Sequence, residues 1–126
     1  MARHWFLTIG GVIGEVESWR PRNCNTEIEY RNSLYNKLED AFPVPPTKEY
    51  GHGRVKADIA FETKVGIELK MNLTSPAKLQ RLKGQLDDYA RTFGKTIVVL
   101  VGKHDRDLVR DLRRAADEYG IGVIEK

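Results

Sequence analysis

The stretch DIAFETKVGIELK, residues 58–70, decides the fold of this chain of 126 residues. Two apolar runs, IAF and VGIEL, lie on either side of the Thr63–Lys64 step, and this pattern predicts a β-hairpin. Charged side chains nevertheless interrupt both strands, at Asp58, Glu68 and Lys70. Because Glu68 and Lys70 are two positions apart, they share one face of their strand, about 7 Å from each other. A strand that contributes to a core carries such charges only when something stabilises them.

The composition permits one folded domain. Hydrophobic residues make up 40% of the chain, which is enough for a core, and the length is too short for two ordinary domains. The net charge of +3 permits an anionic partner without requiring one. The single cysteine, Cys24, excludes an internal disulfide and a zinc site built from several thiolates.

The N-terminal segment has an apolar run that is too short to span a bilayer. It also lacks an Ala-x-Ala-like cleavage site, which argues against a secretory signal peptide. We therefore expect residues 1–24 to form a strand or a packing arm. We also expect the protein to be cytoplasmic, with no membrane partner.

The rest of the chain alternates helix and strand signals. Asn25 or Thr26 can cap a helix that ends at the prolines following Phe42, and Ser75–Pro76 is a typical helix start. The apolar run TIVVLVG is typical of a strand covered on both faces. The predicted elements are a helix at 25–42, strands at about 47–51, 54–62 and 65–72, a helix at 75–93, a strand at 96–102, and a final helix and strand within 103–126.

This order predicts an α/β fold in which helices flank a mixed central β-sheet. We expect a single domain over residues 1–126. Its core spans 25–102, preceded by the arm at 1–24 and followed by an extra C-terminal helix and strand at 103–126.

A carboxylate pair beside a lysine has a specific chemical use. Two neighbouring carboxylates, such as Asp58 and Glu68 on adjacent strands, repel each other and raise a pKa unless a cation relieves them. Carboxylate oxygens suit Mg²⁺ or Mn²⁺, which keep several waters and take phosphate oxygens as further ligands. A lysine such as Lys70 can orient an attacking water and stabilise charge on phosphorus. The three side chains therefore indicate metal-assisted phosphodiester hydrolysis.

The tripeptide Glu-x-Lys carries little weight by itself, because it is common on solvated strands. Its context changes that weight. The apolar helices predicted before and after the hairpin indicate that both faces of the sheet are covered, so charges on these strands need a stabilising partner.

Asp58, nine intervening residues and then Glu68-Leu69-Lys70, placed between two helices, resemble the PD-(D/E)XK nuclease superfamily. This group includes restriction endonucleases, Holliday-junction resolvases and RecB-type nucleases. The resemblance covers about 80 residues and implies a restriction-endonuclease-like core of helix, three strands, helix and strand. It implies that Asp58, Glu68 and the backbone carbonyl of Leu69 hold a metal ion and that Lys70 is the catalytic lysine. Ala57 replaces the proline of the family pattern.

Two further family positions have counterparts in this sequence. Many members carry a glutamate on the first helix, and Glu27 lies within about 20° of the centre of the apolar stripe of that helix. Glu27 can alternatively be a solvated first-turn residue that favours the helix dipole. Arg31, one turn later, can pair with Glu27 or contact a phosphate.

RecB-type members carry Gln-x-x-x-Tyr on the helix after the lysine, and this chain has Gln85 and Tyr89 there. The resemblance implies that Gln85 supports the nucleophile. Tyr89 can reach the site, and core packing explains it equally well. His52, in a turn before the hairpin, can reach the mouth of the site, although a turn histidine is more often a bystander.

The resemblance as a whole implies a Mg²⁺-dependent deoxyribonuclease, expected to be an endonuclease, with Mn²⁺ as a substitute for Mg²⁺. Its partner is DNA, and a structure-specific activity like that of a Holliday-junction resolvase is the leading special case. The alternative is a non-catalytic DNA-binding or interaction module that retains the nuclease fold. The side chains expected to contact phosphates are Lys56, Lys78, Arg81 and Lys83.

Assembly is a second expectation about partners. The protein is expected to act as a homodimer or within a larger nuclease complex, because the chain has little beyond the core for target recognition. The candidate dimer surfaces are the N-terminal apolar arm and the last helix with Leu108, Val109 and Leu112, and both can equally be ordinary core.

Overall fold

The computed structural model describes residues 2–53 and 55–126, without the side chain of His52. The described chain is an α/β fold with four helices and a five-stranded mixed sheet. The elements in chain order are α1 (Ile9–Ser18), α2 (Glu27–Ala41), β1 (Thr47–His52), β2 (Val55–Phe61), β3 (Val65–Met71), α3 (Pro76–Thr92), β4 (Lys95–Val101), α4 (Arg106–Glu118) and β5 (Gly122–Glu125).

The strands lie in the order β1-β2-β3-β4-β5, so each strand pairs with its neighbours in sequence. The pairs β1–β2 and β2–β3 are antiparallel, as the predicted hairpin requires. The pairs β3–β4 and β4–β5 are parallel, and α3 and α4 make the two crossovers. The carboxyl ends of β3, β4 and β5 therefore meet at one edge of the sheet.

The helix starts follow the capping chemistry of the sequence. Thr26 accepts a hydrogen bond from the amide of Glu29 and begins α2, and Ser75 accepts one from the amide of Lys78 and begins α3. Pro76 occupies the first turn of α3, where its missing N–H has no cost. Both starts agree with the sequence-based expectation.

Helices cover both faces of the sheet. On one face, α1 and α2 contribute Val12, Val16, Leu34 and Leu38 to a core completed by inward residues of β2, β3 and β4. On the other face, leucines of α3 and α4 pack against Val98 and Leu100 of β4. The buried run of β4 thus contacts both layers, which explains its continuous hydrophobicity.

The N-terminal segment corrects one expectation. Of the two alternatives for residues 1–24, a strand is wrong, because residues 9–18 form the helix α1, capped by the Thr8 side chain, and this helix packs on the core. The β-branched and glycine residues of this segment disfavour a helix, but Val12 and Val16 are fully buried against the rest of the core. Tertiary packing therefore overrides local propensity here.

The structure decides between the two alternatives left open for the last helix. Val109 and Leu112 of α4 are buried in the core of the protein, so they are ordinary core residues and not a free dimer surface. By contrast, Trp5 and Phe6 near the N-terminus are largely exposed. Among the described helices, none is both long enough and apolar enough to cross a membrane.

Close packing of β3 against α3 gives a stability test at Gly66. A β-carbon at Gly66 would lie 2.6 Å from the ring of Phe93, which is itself buried, whereas a β-carbon at Gly84 in α3 meets nothing within 4 Å. We expect Gly66→Ala to lower the free energy of unfolding by about 1–3 kcal/mol through overpacking. Gly84→Ala should leave it unchanged or raise it by up to about 1 kcal/mol. Urea denaturation measures both, and equal stability of the two variants would contradict this packing.

Candidate functional site

The β2–β3 ladder opens at Asp58. The paired residues of these strands run from Phe61↔Val65 to Ile59↔Ile67 and go no further. Beyond this point a side chain, and not a backbone carbonyl of β2, accepts the hydrogen bond from β3. Oδ2 of Asp58 accepts a hydrogen bond of 2.7 Å from the amide of Leu69. The carboxylate therefore satisfies an amide that the departing strand has left unpaired.

A second carboxylate repeats this arrangement one pleat further along β3. Oε1 of Glu27, in the first turn of α2, accepts a hydrogen bond of 3.1 Å from the amide of Met71. The amides of Leu69 and Met71 are about 7 Å apart along a strand. Glu27 and Asp58, distant in sequence, are thus brought to the same end of β3. Glu27 is exposed in the first turn of α2, and its carboxylate contacts the strand that carries Glu68 and Lys70.

Glu68 is the buried acid of the site, with 8% of its surface exposed. Its Oε2 accepts a hydrogen bond of 2.5 Å from the Tyr89 hydroxyl. Burial, followed by the neighbouring Asp58 carboxyl, raises the pKa of Glu68 to about 9, although Tyr89 and Lys70 act in the opposite direction. Asp58 and Glu68 therefore lie close enough together for the Asp58 carboxyl to disfavour ionisation of Glu68.

Tyr89 of α3 connects this acid to the adjacent strand. Its ring is buried against Ala57, Ala60 and Phe93. Its hydroxyl lies 3.2 Å from the carbonyl oxygen of Lys56 as well as beside Glu68. Burial and the Glu68 carboxyl raise the pKa of this phenol, which keeps it a hydrogen-bond donor. Core packing and site contact, the two alternatives for Tyr89, are both present.

The faces of β2 differ from a simple alternation. Ile59 and Phe61 pack on the side of α2, while Ala57 and Ala60 pack with Tyr89 on the side of α3. An ideal strand would put Ala57 on the same face as Ile59. The irregularity is centred on Asp58, and it coincides with the point at which β2 separates from β3.

A cavity of about 190 Å³ lies on the α2 side of Asp58. Arg31 and Glu49 contribute to it, with Nη1 of Arg31 3.5 Å from Oε1 of Glu49. Arg31 therefore pairs with Glu49 rather than with Glu27, the ion-pair partner proposed from the sequence. The Nε atom of Arg31 is buried without a hydrogen-bond partner among the described residues. The full lining is Glu27, Ile28, Arg31, Glu49, Asp58 and Leu69.

Glu49 is the site residue that sequence reasoning missed. It lies on β1, in a short strand with no strong pattern, and its backbone has a positive φ of 51°. That conformation is uncommon for a residue other than glycine. The charge pattern contains no signal for it, because only the pairing of β1 with β2 brings Glu49 close to Asp58.

The remaining predicted residues lie at different distances from this cluster. Lys70 is half-buried at the end of β3, close enough to Glu68 to stabilise its charged form. Gln85 is half-buried on α3 one turn before Tyr89, and it makes no side-chain hydrogen bond within the described chain. Lys56 is exposed beside Asp58. The side chain of His52 lies outside the described part of the protein.

The predicted phosphate contacts on α3 do not share one face. Lys78 uses its Nζ to donate a hydrogen bond of 3.0 Å to the carbonyl of Asn72, and Arg81 is exposed. Lys83 lines a groove together with Asp111, Arg114 and Glu118 of α4. At 100° per residue, Lys83 is about 140–160° around the helix from Lys78 and Arg81. One bound phosphate strand therefore cannot follow all three side chains along the helix.

The described residues contain no cluster of three or more His, Cys, Asp and Glu side chains arranged to enclose a metal ion. The donor set that is present is two adjacent carboxyls, Asp58 and Glu68, with the backbone of Leu69 between the strands. This set fits a hard cation such as Mg²⁺, which is bound by one or two carboxylates and keeps several waters. It does not fit a metal that requires a closed cage of protein ligands.

Comparison of the chain with models of protein families, with curated proteins and with solved structures gave no match. The chemistry of the site therefore rests on the side chains described above and on their contacts. Two hydrogen bonds position the two carboxyls of the site: that of Asp58 with the Leu69 amide and that of Glu68 with the Tyr89 hydroxyl.

The raised pKa of Glu68 predicts a pH dependence of stability in metal-free buffer. The folded chain keeps a proton on Glu68 up to about pH 9, whereas the unfolded chain loses it near the ordinary value of 4.5. Folding therefore takes up a proton between these values, and the contribution of Glu68 to stability decreases as pH rises through this window. We expect Glu68→Gln to flatten that decrease, as measured by urea denaturation at pH 5, 7 and 9 with EDTA.

The matched control is Glu62→Gln, which neutralises an exposed glutamate at the hairpin turn and should leave the decrease in place. A Glu68→Gln variant whose stability varies with pH as steeply as that of the wild type would show that Glu68 does not hold this proton.

Proposed function

We propose that this protein is a metal-dependent DNA nuclease with a restriction-endonuclease-like core, hydrolysing phosphodiester bonds with Mg²⁺ or Mn²⁺. The observation that carries the proposal is the carboxyl pair of the half-buried Asp58 and the buried Glu68, at the point where β2 and β3 separate, with Lys70 beside it. Two acids held this close together destabilise the protein unless a proton or a cation relieves their repulsion, and such pairs are typical of functional sites.

The order of elements supports the proposal independently of the charges. The series α2, β1, β2, β3, α3 and β4 has the order of helix, three strands, helix and strand that the resemblance implies. Asp58 lies on the second strand of this series, and Glu68 and Lys70 lie on the third. The α/β architecture alone would suit many functions, so the proposed function is argued mainly from the residues of the site.

In this proposal Asp58, Glu68 and the carbonyl of Leu69 hold the metal ion. The chemistry that such a cation supplies is the stabilisation of negative charge on a phosphate and the activation of a water. Asp58 is anchored for this task by its hydrogen bond to the Leu69 amide. Glu68 is oriented by the Tyr89 hydroxyl, so Tyr89 is a positioning residue.

The other residues have roles that follow from their positions. Lys70, at the open end of β3, orients the attacking water and stabilises the charge that develops on the phosphate. Glu27 tunes the metal site from the first turn of α2, where it holds the Met71 amide. Gln85, on the α3 side together with Tyr89, supports the nucleophile. Lys56, exposed beside Asp58, contacts a neighbouring phosphate.

A cleavage assay tests the activity. Wild-type protein with Mg²⁺ or Mn²⁺ should cleave DNA in a panel of plasmid, linear, single-stranded and four-way-junction substrates. Asp58→Ala and Lys70→Ala should lower the rate on the order of 10²- to 10⁴-fold, because each removes a group that acts directly at the phosphate. EDTA should abolish cleavage of every substrate.

Lys64→Ala is the matched control for Lys70→Ala, because Lys64 is an exposed lysine at the turn of the same hairpin. Cleavage by this variant should equal that of the wild type. The catalytic proposal fails if the wild type cuts no substrate with either metal, or if the Asp58 and Lys70 variants cut as fast as the wild type. A protein that binds DNA and cuts none would instead be the non-catalytic module.

Metal binding can be measured without activity. We expect Mn²⁺ to bind the wild type with a stoichiometry of at least one, and Asp58→Asn and Glu68→Gln to weaken that binding by at least about tenfold, since even outer-shell partners of a metal contribute this much. Isothermal titration calorimetry gives the affinity. Glu62→Gln is the control, and unchanged affinity in both site variants would place the metal elsewhere.

A further inference from the structure

A basic surface lies at the carboxyl ends of β4 and β5, outside the site described above. We call it the basic edge and define it by Arg20, Arg22, Lys103, Arg106 and Lys126. Three of these cations, Arg20, Arg22 and Lys126, line a cavity of about 780 Å³ together with Glu17, Trp19, Pro21 and Glu125. Lys103 lies two residues after the end of β4, and Arg106 pairs with Glu125, which also lines the cavity.

The carboxylates of this region do not neutralise it. Glu125 is shared by Arg106, Arg113 and His104, and the hydrogen bond from Arg106 above all lowers the pKa of Glu125 to about 2. Counting side chains, the basic edge and Arg113 provide six positive charges, against three negative charges from Glu17, Asp105 and Glu125. This excess of three equals the net charge of the whole chain.

Among the described residues, Arg106 is the one cation of the basic edge that forms an ion pair with a carboxylate, and Arg20, Arg22, Lys103 and Lys126 form none. Nη1 of Arg20 donates to the backbone carbonyls of Glu17 and Trp19, and Nζ of Lys126 donates to the carbonyl of Glu17. Arg22 is exposed and forms no ion pair among the described residues. Burial above all, and then the nearby Arg20, lower the pKa of Lys126, whereas Glu17 acts in the opposite direction. A bound anion would be attracted by the unpaired cations of this surface.

The basic edge is close to the carboxyl pair. Lys70 of β3 lies opposite Leu100 of β4, and Leu100 lies opposite Glu125 of β5, so the three residues form one row across the sheet. Neighbouring strands are about 4.8 Å apart, which puts the backbones of Lys70 and Glu125 about 10 Å from each other. The segment that carries Arg20 and Arg22 also leads directly to Thr26, the cap of the helix that presents Glu27.

This distance corresponds to a short length of DNA. Each strand of a duplex carries one phosphate per 3.4 Å of helix axis, so about 10 Å spans roughly three base pairs. A strand whose phosphate lies at Asp58 and Glu68 would therefore pass the basic edge within a few nucleotides.

We propose that the basic edge binds the DNA backbone a few base pairs from the phosphate at the carboxyl pair, and that it sets the position of the duplex on the enzyme. This inference rests on the proposed nuclease function, since it takes the carboxyl pair as the place of the scissile phosphate. It assigns DNA contact to a surface different from the basic residues of α3. The contacts are to phosphates, so they position the DNA without reading its sequence.

Fluorescence anisotropy with a labelled 20-base-pair duplex tests the surface, using Ca²⁺ in place of Mg²⁺ in one series and EDTA in another. The test variant is Arg20→Gln/Arg22→Gln/Lys126→Gln. We expect its affinity to fall on the order of tenfold, and the slope of log affinity against log salt to decrease in magnitude by about 2–3, because each lost phosphate contact contributes about 0.9 to that slope.

The matched control is Arg91→Gln/Arg110→Gln/Arg114→Gln, which removes the same charge from exposed arginines of α3 and α4. Its affinity should stay within about twofold of the wild type, with an unchanged salt slope. If the control weakens binding as much as the test variant, or if the test variant binds like the wild type, the proposal is wrong. A duplex RNA of the same length that binds more tightly than the DNA would also overturn it.

Arg20 and Lys126 hydrogen-bond the end of α1, so thermal unfolding of the triple variant is measured alongside binding. If that variant is destabilised, the single variant Arg22→Glu is used to test DNA binding instead. The Arg22 side chain makes no hydrogen bond in the described chain, so its replacement should not affect folding. We expect this single charge reversal to weaken binding by at least about threefold, and unchanged affinity would reject the proposal.

Cleavage by the same proteins separates this proposal from the nuclease function. If the wild type cuts DNA and the triple variant binds DNA normally, the basic edge is not the DNA-binding surface, but the proposed nuclease activity is retained. If the wild type binds DNA through the basic edge but cuts no substrate, the proposed nuclease activity is wrong, but the DNA-binding surface is retained. A wild type that neither binds nor cuts would reject both.

Discussion

The separation of β2 from β3 at Asp58 is the constraint on which the rest of the site depends. Antiparallel strands normally satisfy each other's amides, and a strand that leaves its partner early exposes unpaired donors. Here the amides of Leu69 and Met71 donate hydrogen bonds to the carboxylates of Asp58 and Glu27, respectively. Because β3 needs these acceptors, the fold itself holds two acids at one strand end, and Glu68 joins them from the opposite face.

The packing of α3 against the sheet fixes the third acid. Gly66 lets the ring of Phe93 approach the backbone of β3, and this contact seats α3 closely enough for Tyr89 to reach Glu68. Glu68 is buried beside Tyr89, and this burial raises the pKa of its carboxyl. Holding Glu68 buried beside Asp58 therefore lowers the stability of the folded protein. Such a cost is typical of sites whose charge is needed for binding or catalysis.

The sheet also explains how the carboxyl pair and the basic edge belong together. The parallel pairing of β3, β4 and β5 brings their carboxyl ends to one side, so positive charge at the end of β5 lies about two strand spacings from Lys70. Negative charge is concentrated where a cation would bind, and positive charge where a phosphate strand would continue. This distribution of charge is what the proposed nuclease would need in order to bind an extended polyanion.

Local sequence patterns determined most of the elements: the hairpin from its alternation, α2 and α3 from their caps, and β4 from its continuous apolar run. They also singled out Asp58, Glu68 and Lys70, because charges within core strands are costly and therefore informative. The helix α1 could not be predicted locally, since its glycines and valines disfavour a helix and only burial of Val12 and Val16 stabilises it. Only the tertiary structure decided that Arg31 pairs with Glu49, that Lys83 turns toward α4, and that Arg20 and Lys126 meet at one edge. These are contacts between residues far apart in sequence, and strand order and helix packing set them, whereas periodicity reports only on neighbours.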